Sequence, residues 1–271
     1  MSNTCCICGT VRNCAPFLDR VFENIQKIET IFDKYEIILF YDHSTDGSLK
    51  KLQFWQKKLP NMQFYHNKAR LSKYRTHNLA NARNFLVNYV KKHHNIFKYF
   101  IMMDMDDVNA KDCRPENLKT YLGRTDWDGL SFNTSPMYYD IWAVSKAPFT
   151  FSYNHFPNNI KYHHIIGKYM DYLLKKLPKN GLLSCISSFN GFSIYRTNKF
   201  LKSKYDGRPR PNLLPTHLLN KHKQIMKSNI IYKKYPNVDG RYEDCEHRVF
   251  HILAIRSQRA KICISPNILF Q

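Results

Sequence analysis

The chain has 271 residues, 43% of them hydrophobic and 14% aromatic, with 42 Lys and Arg against 21 Asp and Glu for a formal net charge of +21. That length and apolar content allow a substantial core and exclude a disordered chain. The basic balance favours a polyanionic partner: nucleic acid, an anionic membrane or a phosphorylated small substrate. No apolar run approaches the roughly 18 residues that a membrane span needs. The N-terminus also lacks a basic region followed by an apolar one, so no signal peptide is expected. Cys5, Cys6 and Cys8 open an apolar segment with no second Cys or His pair at zinc-finger spacing. They read as buried strand thiols of a soluble, cytoplasmic protein.

In chain order, residues 4–9 read as a strand, and Pro16 opens a helix whose Leu18, Val21, Phe22, Ile25, Ile28 and Phe32 recur at helical spacing. EIILFYD (36–42) is a second strand ending in the polar turn HSTDGS. A helix over 48–58 and a strand over 62–66 follow. Residues 78–93 form a helix with Leu79, Ala82, Phe85, Leu86, Tyr89 and Val90 on one face, and YFIMMD (99–104) is a fourth strand without alternation, hence buried on both faces. Such βα repeats predict an α/β fold, a mostly parallel sheet flanked by helices. The second half predicts strands over 127–133, 138–144 and 183–196, an amphipathic stretch over 161–176, and a Pro-rich basic loop over 205–223. A helix over 243–256 and a closing strand in KICISPNILF complete it. Without repeats or low-complexity segments, one domain over 1–271 is expected, with a regular βα half (about 1–107) and a more mixed half (about 108–271).

Asp104, Asp106 and Asp107 crowd the end of the fourth strand in FIMMDMDDVN (100–109). Carboxylates this close repel one another unless a cation neutralises them. Ligands of parallel α/β sheets bind beyond the carboxyl ends of the strands. Thr10, Arg12 and Asp42 are expected at the same end. Carboxylate oxygens suit Mg2+ or Mn2+, so Asp104 and Asp106 are candidate ligands.

The order of these motifs resembles the metal-dependent glycosyltransferases of the GT-A fold, in which an Asp-x-Asp motif holds the cation on a nucleotide-sugar diphosphate. FYDHSTDGS (40–48) is similar to the second-strand segment of that family, and LANARNF (79–85) to the segment that precedes the metal strand. FNGFSIYR (189–196) and YEDCEH (242–247) resemble its acceptor-side strand and late acidic motif. MYYDIWAV (137–144) and CEHRVFH (245–251) resemble the branch found in large DNA viruses and capsule mannosyltransferases, which would place the protein in a host cytoplasm. The resemblance implies a UDP- or GDP-sugar donor bound by Thr10, Arg12, Asp42, Arg83 and Asp104, and a glycan or glycoprotein acceptor. It implies Asp244 as the base of an inverting transfer, with Glu246 as the alternative; if the site lies outside the late motif, Asp140 of the YYDIW segment is the next candidate. His247 would complete the metal shell, and His251 lies one turn further on. The first strand departs from the family by ending in CGTVRN.

A basic nucleic-acid-binding or metal-dependent phosphoryl-transfer protein is the competing reading, since aromatics interleave with the positive charge. Against it, the charge is spread over the chain and no nucleic-acid motif is legible. A third reading is a structural protein that keeps the fold without activity. Contact with a membrane, if any, would be peripheral.

Overall fold

The computed structural model describes residues 2–67, 69, 71–235 and 237–271. The apolar runs of the first half become strands β1 (Thr4–Val11), β2 (Lys34–Tyr41), β3 (Met62–His66) and β4 (Tyr99–Asp104), all parallel, in the order β3-β2-β1-β4. Helices α1 (Ala15–Glu29), α2 (Ser48–Lys58) and α3 (Arg75–Lys92) make the crossovers. Successive side chains of a strand point to opposite faces, so β1 feeds two cores. Cys5 and Ile7 pack with Ile37, Leu39 and Ile101 towards α1, whereas Cys6 and Cys8 pack with Ile38, Phe40 and Met102 towards α3. These cysteines are core residues as expected, and burial pushes the thiols of Cys5 and Cys6 up.

The second half contributes α4 (Pro115–Lys119), β5 (Gly129–Asn133), α5 (Asn159–Lys175), β6 (Leu183–Cys185), β7 (Phe192–Arg196), α6 (Thr216–Met226), β8 (Lys234–Tyr235), β9 (Val238–Asp239), α7 (Glu246–Gln258) and β10 (Ile262–Ile268). Strand β7 lies antiparallel between β4 and β5, β10 runs parallel to β5, and β6 closes the far edge. The result is an eight-stranded sheet, β3-β2-β1-β4-β7-β5-β10-β6, with β8 and β9 paired apart from it. This is the expected α/β architecture.

Four local expectations fail. Residues 138–144 form no strand: Tyr138, Ile141, Ala143 and Val144 are buried, but Asn190 Oδ1 captures the N–H groups of Tyr139 and Asp140 in a turn. The strand expected over 183–196 is cut in two by Asn190 (φ 59°) and Gly191 (φ 80°). Only glycine suits the second position, because an added Cβ would lie 2.8 Å from Val108 Cγ1. The prolines of 205–223 precede a helix rather than mark one long loop; α6 buries His222 and Met226. Finally, the buried face of α3 is Thr76, Ala80, Ala82, Arg83, Leu86, Val87 and Val90, and Phe85 is 39% exposed.

Candidate active site

Strand register brings the expected residues together. Thr10 pairs with Phe40 on β2 and with Asp104 on β4, so these three strands end level. A cavity of about 430 Å³ opens beyond their ends, within the usual range for small-molecule sites. Thr10, Arg12, Asp42, Arg83, Asp104 and Asp106 from the first half of the chain line it together with Tyr139, Asp140, Glu246 and His247 from the second half. Of the residues singled out in the sequence, Asp107, Asp244 and His251 are missing from the lining.

The Asp-Met-Asp turn is built around its middle residue. Met105 is buried and fits against Gly9, where an added Cβ would lie 2.6 Å from the methionine sulfur. Its flanking carboxylates thereby reach the cavity. Asn109 locks the turn, donating from Nδ2 to the carbonyls of Asp104 and Gly191, both at 2.7 Å. Asp106 Oδ1 is buried without a hydrogen-bond partner. Burial pushes the Asp104 carboxyl up. Burial, then Asp104 and Asp107, push Asp106 up to about 7. An orphaned buried oxygen beside a second carboxylate fits a divalent cation. Among the described residues no three His, Cys, Asp or Glu side chains converge to hold a metal by themselves. Two carboxylates are the share a protein commonly gives Mg2+ when waters and substrate phosphates supply the rest.

Arg83 occupies the centre of the site and is 3% exposed. Its Nη2 donates to Asp104 Oδ1 at 2.7 Å, and its Nη1 contacts Glu246 Oε1 and His247 Nε2. The guanidinium also lies over the Phe189 ring, 4.7 Å from its centroid. Position 83 reaches the site because α3 turns this face to the sheet. His247 is therefore not brought to the Asp104–Asp106 pair as a third ligand. Its Nε2 meets a cation already in place, its ring stacks on Phe189 at 3.6 Å, and burial and Arg83 hold it well below the usual imidazole range. His251 has a structural role, bonded to Ser187 Oγ and Tyr195 OH, both at 3.0 Å.

The late acids occupy different settings. Asp244 is buried behind the cavity wall and accepts from Arg248 Nε at 3.0 Å. Arg248 is held in turn by Val144 O, Ser145 Oγ and Trp142 O. Glu246 faces the cavity but is ion-paired to Arg83. Asp140 lines the cavity, accepts from the Ala143 N–H at 3.1 Å, and has its carboxyl pushed up by burial. At the end of β2, Asp42 accepts from Asn67 Nδ2 at 3.0 Å and lies 3.9 Å from Arg12 Nε.

Sequence reasoning passed over Asn109, Asn190, Arg75 and Trp142. Asn190 carried a readable signal, since Asn-Gly marks a tight turn. Nothing local marks Arg75 or Trp142 as cavity residues.

The family model of glycosyl transferase family 2 matches residues 6–192. Among similar solved structures, S. aureus TarS 1-349 in complex with UDP-GlcNAc is 12% identical with a TM-score of 0.50, over 99% of this chain and 57% of that one. S. aureus TarS is 10% identical with a TM-score of 0.51, over 98% and 36%. Mannosyltransferase PcManGT from Pyrobaculum calidifontis, in complex with GDP-Man and Mn2+, is 13% identical with a TM-score of 0.43, over 74% and 47%. The chain thus spans roughly a third to three-fifths of the length of these structures, and the likeness to TarS is one of fold. No curated protein sequence matches it. The family match covers more than half of the chain and includes β1, β2 and β4 and the turns at their ends that line the cavity, so the chain belongs to glycosyl transferase family 2.

Proposed function

We propose that the protein transfers a sugar from a nucleotide diphosphate donor to a hydroxyl acceptor on a glycan or glycoprotein, with inversion and with a divalent cation. The observation that carries this reading is the pairing of Asp104 and Asp106, one oxygen orphaned, beside Arg83 in a cavity at the carboxyl ends of β1, β2 and β4. Asp104 and Asp106 would hold Mn2+ or Mg2+, which when bound neutralises charge on the leaving diphosphate. Thr10, Arg12 and Asp42 position the nucleoside end, where Asn67 fixes the Asp42 carboxylate. Arg83 adds fixed positive charge at low dielectric, oriented before the donor arrives because Asp104 and Glu246 already hold it.

An inverting transfer needs a carboxylate to take the acceptor proton. Asp140 suits that role better than Asp244 or Glu246. It faces the cavity, no arginine among the described residues forms an ion pair with it, and its raised affinity for a proton favours proton capture. Asn190 sets its backbone. The test is a panel of UDP- and GDP-sugars assayed with Mn2+ for thermal stabilisation and donor hydrolysis. A donor at about 100 times its dissociation constant should stabilise by roughly 2.7 kcal/mol. If no nucleotide-sugar stabilises the protein or is hydrolysed, while duplex DNA binds with a steep salt dependence, the reading fails.

A further inference from the structure

The positive charge is less evenly distributed than the chain-wide balance suggests. Residues 141–238 contain 17 of the 42 Lys and Arg but only two of the 21 acids, Asp171 and Asp206. Asp206 is tied to Arg210 at 2.9 Å. Asp171 accepts the Tyr138 N–H at 3.1 Å. The segment therefore presents a field of one sign, and helix α5 lies within it.

On α5 the buried positions are Ile166, Gly167, Met170 and Leu174. The outward positions Lys161, Ile165, Lys168, Tyr172 and Lys175 are all exposed. They follow one another at intervals of four, three, four and three residues, so they form one continuous stripe along the helix. It runs roughly 21 Å at 1.5 Å per residue. Lysines alternate along it with an isoleucine and a tyrosine, and Ile160 at the start of the helix is 70% exposed. Singly exposed apolar side chains are ordinary on a solvated face, but Ile165 and Tyr172 fall in register with three lysines on one stripe. A protein interface would not place a lysine at every other step of its seam. An anionic bilayer accepts both, because its headgroups attract the ammonium groups while its interface takes up the apolar side chains between them.

We propose that α5 is a peripheral docking surface for an anionic lipid bilayer, lying along the headgroup plane with Lys161, Lys168 and Lys175 on the phosphates and Ile160, Ile165 and Tyr172 at the interface. No helix of the described residues is long and apolar enough to cross a membrane, so this contact is reversible and electrostatic. Helix α5 also backs the acceptor wall: Ile141 approaches Gly167, and the 138–144 turn that rests on α5 presents Tyr139, Asp140 and Trp142 to the cavity. Docking would couple to the site through that turn.

The test is co-sedimentation of the full chain with phosphatidylcholine vesicles, with and without phosphatidylserine. Binding should require phosphatidylserine and weaken with added salt. Neutralising Lys161, Lys168 or Lys175 to Gln should each lower partitioning roughly fivefold. Ile160→Ser with Ile165→Ser should lower it further, while leaving affinity for soluble polyphosphate unchanged. These positions are exposed, so the fold survives, which circular dichroism checks. Equal binding to neutral vesicles, or no binding to anionic ones, overturns the proposal. If the lysine variants lose polyphosphate binding and the isoleucine variants keep full vesicle binding, the surface is a site for a soluble polyanion instead.

Discussion

Replacing Arg83 by Met keeps most of the stem and removes the guanidinium. The sequence alone presents Arg83 as a donor-binding side chain on a helix whose apolar face is filled elsewhere, so its loss should weaken affinity and spare the fold. The structure predicts a larger effect on the fold. Arg83 neutralises two carboxylates at once, and the side chains of Asp104 and Glu246 are only 25% and 4% exposed. Removing one member of a buried ion pair costs about 3–5 kcal/mol, because the surviving charge stays desolvated. Loss of the contact over Phe189 adds roughly 0.5–2 kcal/mol. Together these come to about 3.5–7 kcal/mol, so at roughly 2–3 °C per kcal/mol for a chain of this size the melting temperature should fall by about 7–21 °C. Denaturation without nucleotide or metal isolates this effect from donor binding. Combining Arg83→Met with Glu246→Gln removes one stranded charge and should recover a large part of the loss. A single variant within about 1 kcal/mol of wild type, well below the buried-pair cost, would refute the reasoning. So would a double variant no more stable than the single one.

Other outcomes follow from the same site. Asp106→Asn should raise stability without metal, since it removes charge from a buried oxygen that has no partner, and should abolish stabilisation by Mn2+. A destabilised variant that still responds to Mn2+ would contradict the assignment. Asp140→Asn should lower turnover by orders of magnitude at unchanged donor affinity, the signature of a group acting only in the transition state. Asp244→Asn should instead lower stability, by stranding buried Arg248. Full turnover in Asp140→Asn with a well-folded but inactive Asp244→Asn would return the base to the late motif. His222 is buried, accepts the Thr150 N–H on Nδ1, and is lowered from 6.5 to about 4 by burial. The unfolded chain therefore binds the proton first. The contribution is complete above pH 6.5 and is lost as pH falls towards 4, about 3 kcal/mol in all. His222→Asn keeps an acceptor for Thr150, so the gap between wild type and variant should narrow on acidification through that window. A gap independent of pH would show that His222 is not held neutral.

The sequence by itself determined the parallel half of the fold and the acidic turn. Strands such as YFIMMD declare themselves by unbroken apolar runs, and the βα alternation orders them. Three carboxylates at the end of the most apolar run mark a turn whose charges repel one another unless something neutralises them. Those signals are local, and the four parallel strands and three crossover helices lie close to their expected positions. The antiparallel strands, by contrast, were decided by partners distant in sequence. Residues 138–144 have the composition of a strand, but Asn190 binds the N–H groups of Tyr139 and Asp140, and among the described residues no strand pairs with them. The helix face of α3 was also undecidable locally. Leu79, Phe85 and Tyr89 and the observed buried set both fit a helical period, and burial of Arg83 pays only because Asp104, from β4, and Glu246, from α7, meet it there. The same holds for Asp244 and Glu246. Two residues apart in the motif, they point to different neighbours, Arg248 and Arg83, and only the packing of α7 against the sheet assigns one to the cavity wall and the other to the core behind it.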